Sequence, residues 1–223
     1  MKKVFIGVGH GGKDTGAIGI GGLKEKDLNL NIARACREVL ERHNVKVLLS
    51  RVTDEDDPAS QEVRECNAFT PDLAVDIHNN AGGGDGAEVY YHHLGGVGKS
   101  LATHILNEIV NAGQNSRGIK IRKNSSGQDY YTFIRDTKSP AVIVECAFVD
   151  NTEDIRVVDT PQGQEQMGVA IAKGILKQLN INYTDNKIYR VQVGAFNTKS
   201  NALDLQNKLK TKGFNSIIKE EQI

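Results

Sequence analysis

Short apolar runs alternate along this chain with longer stretches in which apolar residues recur every three or four positions. Val4 to Val8 reads as a buried strand, and Leu28, Ile32, Cys36, Val39 and Leu40 then share one face of a helix. Val45 to Leu49 is a second strand, followed by a polar loop through Asp54 to Pro58 and a short helix near Glu62 to Phe69. Leu73 to Ile77 and Ala87 to Tyr91 read as strands, and Leu101, Ile105 and Ile109 have helical spacing. Phe133-Ile134 and Ala141 to Val144 look like strands, and Met167, Ile171, Ile175 and Leu179 lie along a last helix. Such alternation predicts an α/β domain over residues 1–181, with a largely parallel sheet covered on both faces.

Residues 182–188 are polar and turn-prone and read as a linker. Beyond them, residues 189–223 hold one strand (Tyr189 to Ala195), one helix (Ala202, Leu205 and Leu209 on a face) and one strand (Phe214 to Ile218). This β-α-β half-domain is too short to bury much surface by itself.

The formal net charge of +0 gives no global field to attract nucleic acid, so none is expected as a partner. Arg117, Lys120, Arg122 and Lys123 form a local basic cluster that reads as a solvated loop. The 3 cysteines, Cys36, Cys66 and Cys146, lack CxxC spacing and sit in or beside apolar stretches, as small buried thiols do. They suit synthesis in a reducing compartment. Met1 to Val8 begins like a signal peptide, but its apolar run is short and passes straight into Gly9-His10-Gly11-Gly12. The expectation is synthesis in the cytoplasm without a signal peptide, with no membrane association and no spanning segment.

The chemistry gathers at strand ends. His10 follows the first strand, His78 follows Leu73 to Ile77, and Glu145 follows Ala141 to Val144. In an open parallel sheet the carboxyl ends of strands line one crevice, so these distant residues meet at one edge. Two imidazoles with a carboxylate are the donors of a catalytic zinc site, which keeps a position open for water. Glu25 is the best third donor, because Gly11, Gly12, Gly16, Gly19, Gly21 and Gly22 let the intervening loop fold back. Glu25 and Asp27 also suit a helix N-terminus, and the two roles are compatible. Glu145 has two readings: a desolvated general base poised to take a proton from water, or a partner in an ion pair with Lys or Arg. His92-His93 reads as a polar strand end rather than further metal ligands, and His43 and His104 as surface or capping residues.

These motifs resemble the zinc-dependent N-acetylmuramoyl-L-alanine amidases of the amidase type 3 group, over roughly Met1 to Leu179. Gly9-His10-Gly11-Gly12-Lys13-Asp14-Thr15-Gly16-Ala17 resembles the first metal motif, Glu25-Lys26-Asp27 the second, and Asp76-Ile77-His78-Asn79-Asn80-Ala81 the third. Val144-Glu145-Cys146-Ala147-Phe148-Val149-Asp150-Asn151 resembles the catalytic segment, and Ser50-Arg51 and Arg64-Glu65-Cys66-Asn67 fall in matching order. The resemblance implies a twisted mixed sheet flanked by helices, zinc held by His10, Glu25 and His78, and Glu145 as the catalytic carboxylate. It implies hydrolysis of the amide between N-acetylmuramic acid and L-alanine in peptidoglycan. The chain departs from the family in having Gly7-Val8 for Asp-Pro, Asp76 for serine and Ala147 for glycine.

Tyr189-Arg190-Val191-Gln192-Val193-Gly194-Ala195-Phe196, with Ala202, Leu205, Leu209, Gly213 and Phe214, resembles one half of a sporulation-related (SPOR) repeat, a type associated with peptidoglycan glycan strands. One strand–helix–strand unit where two make a domain suggests either a homodimer that pairs the halves or a disordered or loosely docked tail. Two other functions fit the same residues: a zinc carboxypeptidase or peptidase acting on stem peptides, and a wall-binding protein with a vestigial site. Action on the wall after release or lysis is the expected setting.

Overall fold

The computed structural model describes residues 1–185 and 192–220. The chain divides into two compact units, Met1–Tyr183 and Thr184–Ile223.

The first unit is built on one sheet of six strands: β1 (Lys3–Val8), β2 (Lys46–Leu49), β3 (Leu73–Asn80), β4 (Ala87–Tyr91), β5 (Ser116–Lys120) and β6 (Ala141–Phe148). Their spatial order is β2-β1-β3-β6-β4-β5. The first four in that order are mutually parallel, whereas β4 runs antiparallel to β6 and carries β5 parallel to itself. The sheet is therefore mixed and largely parallel.

Five helices cover it: α1 (Glu25–Arg42), α2 (Ala59–Phe69), α3 (Gly96–Asn111), α4 (Thr132–Asp136) and α5 (Pro161–Gln178). Successive side chains along a strand leave on opposite faces, and here both faces are apolar. Val4, Ile6, Val8, Val75, Ile77, Val142 and Val144 belong to the larger core, with buried residues of α1, α3 and α5. Phe5, Ala74, Ala141 and Ile143 meet a thinner layer, formed by Val63 and Cys66 of α2 with Phe133 and Ile134 of α4. The cysteines are all free and buried. No helix among the described residues is long and apolar enough to cross a membrane.

Two local expectations are corrected. Phe133-Ile134 is not a strand but the middle of the short helix α4, entered from Tyr131, with both side chains buried. Two adjacent apolar residues carry no period, so sequence cannot distinguish one helical turn from a strand there. The strand β5 was not anticipated, because Ser116-Arg117-Gly118-Ile119-Lys120 is a polar edge sequence. Arg117 and Lys120, expected in a solvated loop, both pair with the buried Glu88 of β4.

In the second unit the expected helix is present as α6 (Lys199–Thr211). The strand expected over Tyr189 to Ala195 lies partly outside the described residues, and no strand forms over residues 192–195 or 214–218. A strand needs a neighbour for its backbone groups. At Ser216 the carbonyl instead accepts from the Gln206 side chain at 2.8 Å.

Candidate metal centre

The parallel strands bring their carboxyl ends to one edge, and there the chain turns sharply after β1. His10 has a left-handed backbone (φ 63°), rare for a residue with a side chain. The preceding Gly9 is fixed by space: a Cβ on it would lie 2.2 Å from His78 Cε1. The loop then folds back onto the start of α1, with the Glu25 N–H donating to Ala17 O at 2.9 Å. Gly16 permits this with φ +61°, and a Cβ there would lie 2.5 Å from Glu25 Oε2. The buried Arg51 fastens both segments, donating to Val8 O at 3.0 Å and to Lys26 O at 2.7 Å.

His10, Glu25 and His78 converge as the sequence suggested. His10 Nε2 lies 3.2 Å from Glu25 Oε2, and His78 Nδ1 lies 3.0 Å from Glu25 Oε1. One donor atom from each falls within 4.8 Å of the others. The imidazole rings meet edge to face, with centroids 5.0 Å apart. Glu25 is also gripped by the backbone, accepting from the Ala17 N–H at 2.9 Å and the Asn79 N–H at 3.1 Å.

Each imidazole turns its other nitrogen to a carboxylate that sequence reasoning did not assign to the site. His10 Nδ1 is 2.8 Å from Asp14 Oδ2, and His78 Nε2 is 3.1 Å from Asp76 Oδ2. Such outer carboxylates fix ring orientation and tautomer and strengthen the inner nitrogen as a ligand. The available signals were positional: Asp14 sits four residues beyond His10, and Asp76 two residues before His78 on the same face of a strand.

Burial works to raise the Glu25 carboxyl, but hydrogen bonds and charge from His10 and His78 outweigh it and hold that carboxyl well below the usual range. Burial works to lower the His78 imidazole, yet Asp76 and Glu25 raise it well above an ordinary histidine. His10 is raised in the same way, against its burial, by Glu25 and Asp14. The three groups thus form a compact set of opposite charges that a divalent cation can replace by displacing protons. Two nitrogens and one carboxylate oxygen, oriented from outside and open on one side, fit zinc in composition.

Glu145 lies on β6 directly opposite His78 of β3. Burial pushes its carboxyl up to about 7, with the His78 charge opposing that rise. Its Oε2 is buried without a hydrogen-bond partner, and among the described residues it has no Lys or Arg ion pair. His10, Glu25, His78 and Glu145 share a cavity of about 350 Å³ with Asn80 and Tyr131. Tyr131 is at this wall, and its hydroxyl accepts from Arg122 at 3.3 Å. Behind Asp76 lies the buried Glu62, whose carboxyl is pushed well up by burial and by the charges of Asp76 and Asp57.

Residues 4–177 match the family model described as N-acetylmuramoyl-L-alanine amidase, and residues 185–222 match that of the SPOR domain. The chain is 35% identical over 98% of its length to the N-acetylmuramoyl-L-alanine amidase CwlM of Bacillus licheniformis, spanning 85% of that protein. It is 34% identical over 98% of its length to the sporulation-specific N-acetylmuramoyl-L-alanine amidase of Bacillus subtilis, spanning 84% of it. Among solved structures, the catalytic domain of the amidase CwlV from Bacillus (Paenibacillus) polymyxa aligns with a TM-score of 0.73 and 29% identity, over 82% of this chain and 100% of that one. With that fold and these donors at one sheet edge, the chain belongs to the N-acetylmuramoyl-L-alanine amidase family of peptidoglycan hydrolases, its amidase domain followed by a SPOR domain.

Proposed function

We propose that this amidase depends on zinc, that His10, Glu25 and His78 are its ligands, and that Glu145 is its catalytic carboxylate. The observation carrying this reading is the convergence of three donors, each oriented from outside, beside a carboxylate with an unpartnered oxygen. Bound there, zinc supplies Lewis acidity toward an amide carbonyl and acidifies water near neutral pH.

The protein's own groups do the rest. Asp14 and Asp76 hold the imidazoles in the tautomers that leave His10 Nε2 and His78 Nδ1 free to coordinate. Glu145 Oε2, lacking any competing donor, accepts the proton of the attacking water and returns it to the departing alanine nitrogen. The walls formed by Tyr131 and Asn80 position the lactyl–alanine amide in the cavity. The SPOR domain holds the enzyme on glycan strands. Its Phe214 and Ile217 are 64% and 85% exposed, which supports pairing of half-domains between two chains. Action on the cell wall after release or lysis completes the reading.

The test is metal analysis of the purified chain, joined to mass spectrometry of the products it releases from sacculi. Zinc in the protein, chelator-sensitive activity and free L-alanine amino termini are expected. Full activity in metal-free protein would overturn the zinc assignment, and cleavage within the stem peptide would favour the peptidase reading. Sedimentation at high concentration tests the pairing, which a strict monomer would exclude.

A further inference from the structure

Because β4 runs antiparallel to β6, its end at Tyr91 leads away from Glu145 and into His92 and His93. Both imidazoles meet the carboxylate of Asp129. His92 Nε2 lies 3.0 Å and His93 Nδ1 lies 2.7 Å from Asp129 Oδ2. One donor atom from each of the three residues falls within 4.8 Å of the others. The Asp129 side chain is only 3% exposed, and among the described residues it has no Lys or Arg ion pair. Its other oxygen accepts from the His93 backbone N–H at 3.0 Å.

This arrangement repeats that of the catalytic edge, where two partly exposed imidazoles converge on one buried carboxylate. A buried carboxylate is costly unless its charge is met, and a divalent cation would meet that of Asp129. Two imidazole nitrogens and one carboxylate oxygen, open to water on the imidazole side, are donors for a borderline divalent cation rather than calcium or magnesium.

We propose that His92, His93 and Asp129 form a second zinc site, structural rather than catalytic. Its role follows from what Asp129 carries. Lys123 and Asp129 form an antiparallel bridge, and the Tyr130 N–H donates to Arg122 O at 2.8 Å, so residues 122–130 close into a hairpin. Tyr131, at the foot of that hairpin, lines the catalytic cavity. A cation at this site ties the hairpin to the end of β4 and fixes the Tyr131 wall.

The second site is the weaker one. At the catalytic edge each ligand imidazole has a carboxylate on its outer nitrogen. His92 Nδ1 instead accepts the Leu94 N–H at 3.2 Å. Coordination through Nε2 leaves the proton on Nδ1, so this contact opens on loading. Lacking that support, the site binds zinc at least about tenfold more weakly than the catalytic one.

Zinc titration of the chelator-treated full chain by calorimetry is the test. Two ions per chain are expected for the wild type. His10→Ala keeps the weaker ion, and a His92→Gln/His93→Gln double variant keeps the tighter one. Asp129→Asn, nearly the same shape, loses the same ion as the double variant, so the result does not hang on one variant's folding. With Co²⁺, the His10→Ala protein shows the visible absorption bands of a low-symmetry nitrogen–oxygen site. Absence of any zinc uptake by His10→Ala, or a double variant with wild-type stoichiometry, would overturn the proposal. If the catalytic edge instead bound no zinc, wild type and His10→Ala would both take one ion, so the two failures read differently.

Discussion

His78 and Glu145 stand opposite one another on the adjoining strands β3 and β6, and both leave the sheet on the face covered by the thinner helical layer. Strand register alone therefore sets a candidate metal ligand beside a candidate proton acceptor. Glu145→Gln, which keeps shape and removes the basic oxygen, is expected to retain zinc and fold while turnover falls by about 100-fold to 10,000-fold. Zinc content and muropeptide release measured on the same preparation check this.

Asp76 holds His78 through its Nε2 while its own Oδ1 is buried and unpartnered. Asp76→Ala should leave His78 free to rotate and weaken zinc binding by about 10-fold to 100-fold. Competition against a chelator of known affinity reads the change directly. Unaltered affinity would mean that packing, not Asp76, orients the ring.

Gly9→Ala puts a methyl group where the His78 ring now lies, 2.2 Å from Cε1. The ring must swing out, so zinc binding and activity should both be lost. The sheet, whose core lies elsewhere, should keep its far-ultraviolet circular dichroism. Retained zinc in this variant would show that His78 has room the structure does not reveal.

The pH dependence of stability in metal-free protein has a definite sign. Burial raises the Glu145 carboxyl from 4.5 to about 7, so the folded state holds this proton more tightly than the unfolded state. Its contribution is fully present below about pH 4.5 and is lost as pH rises to about 7. His10 and His78 are also raised, and their contributions disappear with rising pH in the same direction. Scanning calorimetry of chelated wild type and Glu145→Gln isolates the Glu145 part by difference. The variant should lose less stability over this range, and parallel curves would refute the assignment.

Most of the sheet was legible because its strands are continuous apolar runs, as buried parallel strands require, and α1, α3 and α5 show an unbroken helical period. Elements too short for a period were misread or missed: α4 is a single turn, and β5 is a polar edge strand held by Glu88. The candidate site was legible where a polar residue ends an apolar run, as with His10, His78 and Glu145. Asp14 and Arg51 were not, since their importance lies in contacts that exist only once the loop has folded back. His92-His93 resembled a polar strand end because its third member, Asp129, lies far along the chain and meets it only through the hairpin.

The reversal of β4 has a last consequence. Parallel strands bring their carboxyl ends to the cleft, but β4 brings its amino end, so the glycine-rich segment 81–86 ahead of it also borders that opening. Asp150, just after β6, fastens this segment by accepting the Gly82 and Gly83 N–H groups at 2.8 and 3.0 Å. Lengthening or shortening it would reshape the mouth of the enzyme while every hydrogen-bonded ladder stayed in place.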